Sequence, residues 1–253
     1  KAAIITMKIE PPLQQATLLK RYKRFFTDIY TADGHVITLH CPNTGSMKNC
    51  QVEGSPCWYS LSNNPKRKLA GTLEVVTTSF GNLAGVNTGR PNHLVREAIE
   101  NGLIPELRGY ASLRTEVRYG EEKSRIDLLL EDGEDGKGDG SESGTQRAQC
   151  YVEVKNVTLD CGDGHAQFPD SVTTRGSKHL RELMAMVAEG HRAVLFFCVQ
   201  LNGVTEVSVA GHIDPVYAET LTAAIAAGVE VIVWQADMTH SCISLQRPLQ
   251  LAL

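Results

Sequence analysis

Two fragments of the chain carry acids and a base at spacings that chemistry can use: Ser124-Arg125-Ile126-Asp127-Leu128-Leu129-Leu130 and Tyr151-Val152-Glu153-Val154-Lys155-Asn156. Both read as β-strands from their short aliphatic runs. Side chains alternate across a strand, so Glu153 and Lys155 share one face while Val152 and Val154 turn to the other, toward a core. If the two strands pair antiparallel, Asp127 stands beside Glu153, and two carboxylates and an ammonium meet at a sheet edge. Phosphodiester cleavage uses such a set. A hard divalent cation, Mg2+ or Mn2+, prefers oxygen ligands and takes one or two carboxylates with waters and phosphate oxygens. The expected ligands are Asp127, Glu153 and the backbone carbonyl of Val154. The cation would polarise phosphoryl oxygens, while Lys155 orients water or offsets charge in the transition state. Asp127, Glu153 and Lys155 are thus the candidate catalytic residues, and their crowding should perturb their pKa values.

A Glu-x-Lys triplet alone has little specificity, because solvated strand faces produce it often. Its weight comes from the elements around it. Asn92 to Gly102 reads as a helix, with Leu94, Val95, Ala98 and Ile99 at helical spacing and Gly102 as its cap. Strands follow at Leu113–Tyr119, Ser124–Leu130 and Cys150–Val157, then a helix at Lys178–Glu189. A buried strand is expected at Ala193–Leu201, a helix opened by Asp214-Pro215, and a strand at Val229–Gln235. Around this frame, Arg175, Lys178 and His179 at the start of the second helix could contact phosphate, aided by backbone N–H groups there. Glu97 on the first helix could reach the metal through water. The plain alternatives are an idle surface histidine and a solvated helix glutamate.

The first part of the chain reads differently. Short strand-like runs at Phe25–Tyr30, Val36–Leu39, Cys57–Ser62 and Leu69–Thr78 alternate with turn residues, which suggests a small β-barrel. The division is placed at residues 1–87 and 88–253. Between the second and third strands of the second part, residues 131–148 are rich in Gly, Asp, Glu and Ser, and an exposed, mobile loop is expected there.

The formal net charge is −4, which at first argues against nucleic acid. Residues 131–142 hold six acids and one lysine, a local −5 that leaves +1 on the rest of the chain. Basic residues cluster as Lys20-Arg21-Tyr22-Lys23-Arg24 and Lys66-Arg67-Lys68. Such clusters, rather than the overall balance, make a phosphate-binding surface, although a single cluster is as readily a solvated face. The seven cysteines include no CxxC pair and read as reduced. Spacings of nine and seven between Cys41, Cys50 and Cys57 do not suit a zinc knuckle. No apolar run approaches a membrane span, and Ala2 to Thr6 is too short for a signal peptide, so a cytoplasmic protein with no membrane partner is expected.

Several segments resemble the sugar fermentation stimulation protein family. They are Leu19 to Phe25, Cys41-Pro42-Asn43-Thr44-Gly45-Ser46-Met47, Asn64 to Leu69, Gly85-Val86-Asn87-Thr88, Ser124 to Asp127, Tyr151 to Leu159, and Phe168 to Leu180. The resemblance implies an OB-fold barrel followed by an α/β PD-(D/E)xK nuclease-like domain, whose mixed central sheet is flanked by helices. It matches Asp127, Glu153 and Lys155 to the motif, and Lys20 to Arg24 and Asn64 to Lys68 to positively charged segments. It also implies largely sequence-independent DNA binding, with a suggested regulatory role in sugar (maltose) metabolism. Two functions therefore stand: a metal-dependent deoxyribonuclease, or a non-catalytic DNA-binding regulator. A sugar-metabolising enzyme finds no support, since there is no phosphate-cradling glycine loop and aromatic residues are only 6% of the chain.

Overall fold

The first strand, β1 (Thr6–Lys8), does not belong to the barrel that follows it in sequence. The barrel runs from β2 (Gln14–Tyr22) through β3 (Phe26–Thr31), β4 (Val36–His40), β5 (Pro56–Leu61) and β6 (Gly71–Thr77). Alternation drives it: Ala16, Leu18, Ile29, Leu39, Cys57, Tyr59 and Leu73 turn inward, while polar partners on the same strands face water. Strand order is β4-β3-β2-β5-β6, and a pairing of His40 with Thr72 joins β4 to β6 and closes five strands. A short β7 (Leu83–Gly85) extends β6. The computed structural model describes residues 6–132 and 148–253. The acidic loop expected at about 131–148 falls almost wholly outside the described residues.

The second part is built on a seven-stranded mixed sheet. Helix α1 (Arg90–Glu100) packs on one face through Leu94, Val95 and Ala98. It ends at Asn101, and Gly102 takes the left-handed conformation (φ +67) that stops the helix and returns the chain. Then come β8 (Ser112–Tyr119), β9 (Ser124–Glu131) and β10 (Cys150–Val157), followed by β11 (Leu159–Gly162), β12 (His165–Phe168) and α2 (Thr174–Ala188). The last elements are β13 (Arg192–Gln200), β14 (Glu206–Val209), α3 (Pro215–Ala226), β15 (Glu230–Met238), β16 (Cys242–Leu249) and β17 (Leu251–Ala252). The central sheet has the order β1-β16-β15-β13-β10-β9-β8, with β10, β13 and β15 parallel at its middle. Its two faces feed two apolar clusters: Val152, Val154, Val194 and Phe196 pack on the α1 side, and Tyr151, Leu195 and Phe197 on the α2–α3 side.

Three features differ from the reading of the sequence. The N-terminal strand pairs with β16 (Met7 opposite Ile243), and Ile9 and Leu13 are buried in the α1-side cluster, so residues 6–13 pack with the second part rather than with the barrel. The physical reason is that β16 would otherwise be an open edge. A second small sheet, β11-β12-β14-β17, was not expected, because strands of two to four residues in polar sequence have no readable period. Helix α2 begins at Thr174, four residues before the expected start, because Thr173 accepts a hydrogen bond from Gly176 N at 3.0 Å and caps it.

Candidate active site

Asp127 owes its place to a break in the β8–β9 ribbon. Thr115 pairs with Leu128 and Val117 with Ile126, but Glu116 and Asp127 between them do not pair. Glu116 there has φ +56, a conformation L-residues rarely adopt. Beyond this point the faces exchange. Leu113, Leu128 and Leu130 pack with the α1 cluster, whereas Val117, Ile126 and Tyr119 pack with the α2–α3 cluster. Residues of one parity thus serve opposite faces, which a flat ribbon forbids. Asp127 stands at that twist, free of the ladder.

The β9–β10 ladder ends at the same level, its last pair being Val152 with Leu128. The next inward-facing donor, Val154 N–H, lacks a strand partner and donates instead to Asp127 Oδ2 at 2.7 Å. The carbonyl of Val154 opens to the same side as its N–H, as both do in any strand residue. Asn92, on the first turn of α1, donates its amide to Asp127 Oδ1 at 2.8 Å. The polar contact from α1 to Asp127 therefore comes from Asn92; Glu97 lies five residues further along the helix.

Glu153 is buried at 2% exposure on the α2 side of β10. Its Oε1 accepts from Lys155 Nζ at 2.6 Å and faces His179 Nδ1 on α2 at hydrogen-bond contact. Its Oε2 is buried with no partner among the described residues. Arg175 Nε donates to His179 Nε2 at 3.2 Å. That bond requires Nε2 to accept, so the proton sits on Nδ1, where it is directed at Glu153. The expected surface histidine is therefore a buried one, 5% exposed, whose contact is to a carboxylate rather than to solvent.

The electrostatics follow. Burial and the nearby Glu153 charge raise the Asp127 carboxyl to about 6, against the opposing pull of the Val154 N–H, Lys155 and Asn92. Burial also pushes Glu153 upward, but Lys155 and His179 outweigh it and hold the carboxyl below its usual range. At neutral pH the site then holds two carboxylates against one lysine. Two desolvated carboxylates, one with an orphaned oxygen, suit a hard divalent cation that completes its shell with water or phosphate. Among the described residues no group of three or more His, Cys, Asp or Glu gathers as a metal would need from side chains alone. A cation here would draw on Asp127, Glu153 and the Val154 carbonyl, an all-oxygen set that would suit Mg2+ or Mn2+ better than zinc.

Neighbours that the sequence did not disclose are Asn92, Tyr119 and Glu182. The Tyr119 hydroxyl is buried without a partner, and burial and the charges of Glu153, Glu182 and Asp127 raise its pKa. Glu182, 3% exposed on α2, accepts from Glu122 N at 2.7 Å. No spacing links these residues; only the fold brings them together.

The basic clusters separate. Arg21 turns inward, donating to the carbonyls of Asn43 at 2.7 Å and Gly45 at 2.9 Å, and so holds the loop after β4 rather than facing solvent. Lys20, Lys23 and Arg24 are exposed at the end of the β2–β3 hairpin, Lys20 within 3.8 Å of Asp28. Lys66, Arg67 and Lys68 are exposed between β5 and β6, with Arg67 donating to Thr72 Oγ1 at 3.0 Å. Arg175 is exposed at the start of α2, and Lys178 donates to the carbonyl of Glu122. No disulfide joins the seven cysteines among the described residues. No helix among the described residues is long and apolar enough to cross a membrane.

Comparison with known proteins agrees with this architecture. Residues 19–86 match the family model described as SfsA N-terminal OB domain, and residues 89–242 the one described as sugar fermentation stimulation protein RE domain. A sugar fermentation stimulation protein homolog of Saccharophagus degradans is 57% identical over 232 residues, covering 92% of this chain and 94% of that protein. One from Teredinibacter turnerae is 56% identical over 247 residues, covering 98% and 100%. Among solved structures, that described as Pyrococcus furiosus SfsA in complex with Ca2+ superposes with a TM-score of 0.82 at 25% identity, covering 98% of both chains. With both models matched in order and relatives aligned over nearly the full length, the chain belongs to the sugar fermentation stimulation protein family.

Proposed function

We propose that this protein binds DNA and cleaves its phosphodiester bonds with the help of a divalent cation held by Asp127, Glu153 and the Val154 carbonyl. The observation that carries the reading is the meeting of Asp127 and Glu153 where β9 leaves β10, with Lys155 Nζ 2.6 Å from Glu153. The bound Ca2+ named for the Pyrococcus furiosus relative supports a site for a hard cation in this fold. Bound there, the cation would supply Lewis-acid polarisation of a phosphoryl oxygen and neutralise charge. Lys155 shares the face of Glu153 and offers a proton-rich ammonium to an attacking water or to charge developing on phosphate. His179 and Arg175 hold Glu153 in its ionised, oriented form. Asn92 does the same for Asp127. Lys20, Lys23, Arg24, Lys66, Arg67, Lys68, Arg175 and Lys178 supply cationic contacts to the backbone, and such contacts carry little sequence information.

The test is a cleavage assay on single-stranded, duplex and branched DNA in EDTA, Mg2+ or Mn2+. Cation-dependent cutting is expected, with Lys155→Ala at least about 100-fold slower, the scale of a lost transition-state donor, and binding largely retained. Undiminished cutting by that variant would remove Lys155 from the chemistry. Salt-dependent binding with no cutting in any cation would leave the non-catalytic DNA-binding regulator of sugar metabolism as the reading.

A further inference from the structure

The β8–β9 ribbon carries a feature that folding alone disfavours. Arg118 and Arg125 stand directly opposite each other in the antiparallel ladder. Opposed like charges on neighbouring strands destabilise a sheet, since their Cβ atoms lie only about 5 Å apart. Both side chains are exposed. Neither takes part in an ion pair or side-chain hydrogen bond among the described residues. Three acids, Glu116, Glu121 and Glu122, lie within a few residues of them in sequence. Glu122 in the following turn is instead committed to Arg181, at 3.3 Å, and Glu116 and Glu121 form no ion pair among the described residues. The third arginine of the ribbon shows the contrast: Arg114 is gripped by both oxygens of Glu131, at 2.6 and 3.0 Å.

The pair is also held in place. The turn between β8 and β9 is fixed to α2 by Lys178, which donates to the Glu122 carbonyl, by Arg181, and by Glu182, which accepts from Glu122 N at 2.7 Å. Arg125 lies two residues from Asp127, about 7 Å along the strand. Two planar guanidinium groups side by side, each without an acid among the described residues, present donors matched to phosphate oxygens.

We infer that Arg118 and Arg125 form a phosphate clamp that grips the nucleic-acid backbone next to the Asp127–Glu153 site. This rests on the nucleic-acid reading above and adds to it where the strand is held relative to the scissile bond. The clamp explains why the like-charge pair is kept: the repulsion is relieved when an anion lies between the arginines.

Fluorescence anisotropy with labelled duplex and single-stranded DNA, in EDTA so that no cleavage occurs, tests the idea across 50–200 mM salt. The proteins compared are wild type, Arg118→Ala/Arg125→Ala, Arg118→Lys/Arg125→Lys and Arg118→Glu. The alanine pair should bind on the order of tenfold more weakly at the upper salt. Its slope of log affinity against log salt should shrink by about 1 if the arginines share one phosphate and by about 2 if they hold two. The lysine pair should keep most of the slope. Arg118→Glu, which sets opposite charges across the strands, should bind more weakly still while its Tm is equal to or above that of wild type. A merely structural role would instead lower the Tm. Equal binding and equal slopes for wild type and the alanine pair would overturn the clamp while leaving the DNA-binding reading intact. A wild-type protein that binds neither DNA would overturn both.

Discussion

The carboxyl of Asp127 is held near pH 6, about two units above its ordinary value, chiefly by burial and by Glu153. A carboxyl raised in this way binds its proton more tightly folded than unfolded. Its stabilising contribution is therefore complete below about pH 4 and is lost as the pH rises through about 6. Glu153, held low, works in the opposite sense: its contribution is present above the ordinary glutamate range and is lost as the pH falls. A cation needs Asp127 ionised, so protons compete with it. Carbon-13 NMR of the labelled side chain should show a midpoint near 6 in EDTA and one displaced well below that in saturating Mg2+ or Ca2+. A midpoint unmoved by either cation would remove Asp127 from the ligand set. That Glu153 and Lys155 stand together was legible in the sequence, because strand alternation alone puts them on one face. The roles of Asn92 and His179 were not, because their partners lie 35 and 26 residues away and no local period connects them.

At the scale of elements, the two helices on one face of the sheet are joined through a single side chain. Asp214 caps α3 by accepting from Tyr217 N at 2.9 Å, and its other oxygen accepts at 2.8 Å from Thr173 N, the residue that caps α2. The side chain is 2% exposed and the bond from Tyr217 N is buried, so that donor cannot turn to water when the carboxylate is lost. Asp214→Ala should cost about 2–4 kcal/mol, one lost cap plus one buried N–H left unpaired. Urea unfolding would measure it, and a loss under about 0.5 kcal/mol would show that solvent replaces both bonds. The cap itself was readable from Asp214-Pro215, a first-turn signature that needs only local chemistry. The second bond was not, since it joins positions 41 residues apart. Likewise Ala193–Leu201 was readable as a buried strand because a continuous apolar run can satisfy both faces of a parallel sheet. The strands of the small second sheet were unreadable because two to four residues carry no period.

Over the whole molecule, barrel and second part are stitched by carboxylates, of which Asp160 and Glu74 are buried. Asp160, on β11, accepts from Thr78 Oγ1 at 2.6 Å and Asn82 Nδ2 at 2.9 Å. Asp170 accepts from Ser46 Oγ and Met47 N, both at 2.9 Å. Glu74 on β6 accepts from Arg90 Nη2 at 2.9 Å and Nε at 3.0 Å and from the amide of Asn87 at 2.8 Å, fixing the start of α1 two residues before Asn92. One apolar cluster also runs from Leu18, Ile29 and Leu39 of the barrel to Leu195 and Phe197 of the sheet. The two units should therefore melt as one. Differential scanning calorimetry should give a single transition with calorimetric and van't Hoff enthalpies in agreement, and two resolved transitions would contradict the shared core.

The sequence by itself determined the two-part architecture, the closed barrel followed by an α/β sheet, the principal helices and the family. It did so because alternation, helical period and caps are local properties that a chain displays in order. It also determined the acids and lysine of the candidate site, since their types and two-residue spacing are fixed by the strand. Only the tertiary structure decided that β1 completes the central seven-stranded sheet, that Arg21 turns inward to a loop, that His179 is buried against Glu153, and that Arg118 faces Arg125. Each of these depends on register, on the twist at Glu116 and Asp127, or on which edge a strand joins. Such choices are made by the packing of distant segments, and no stretch of sequence carries them alone.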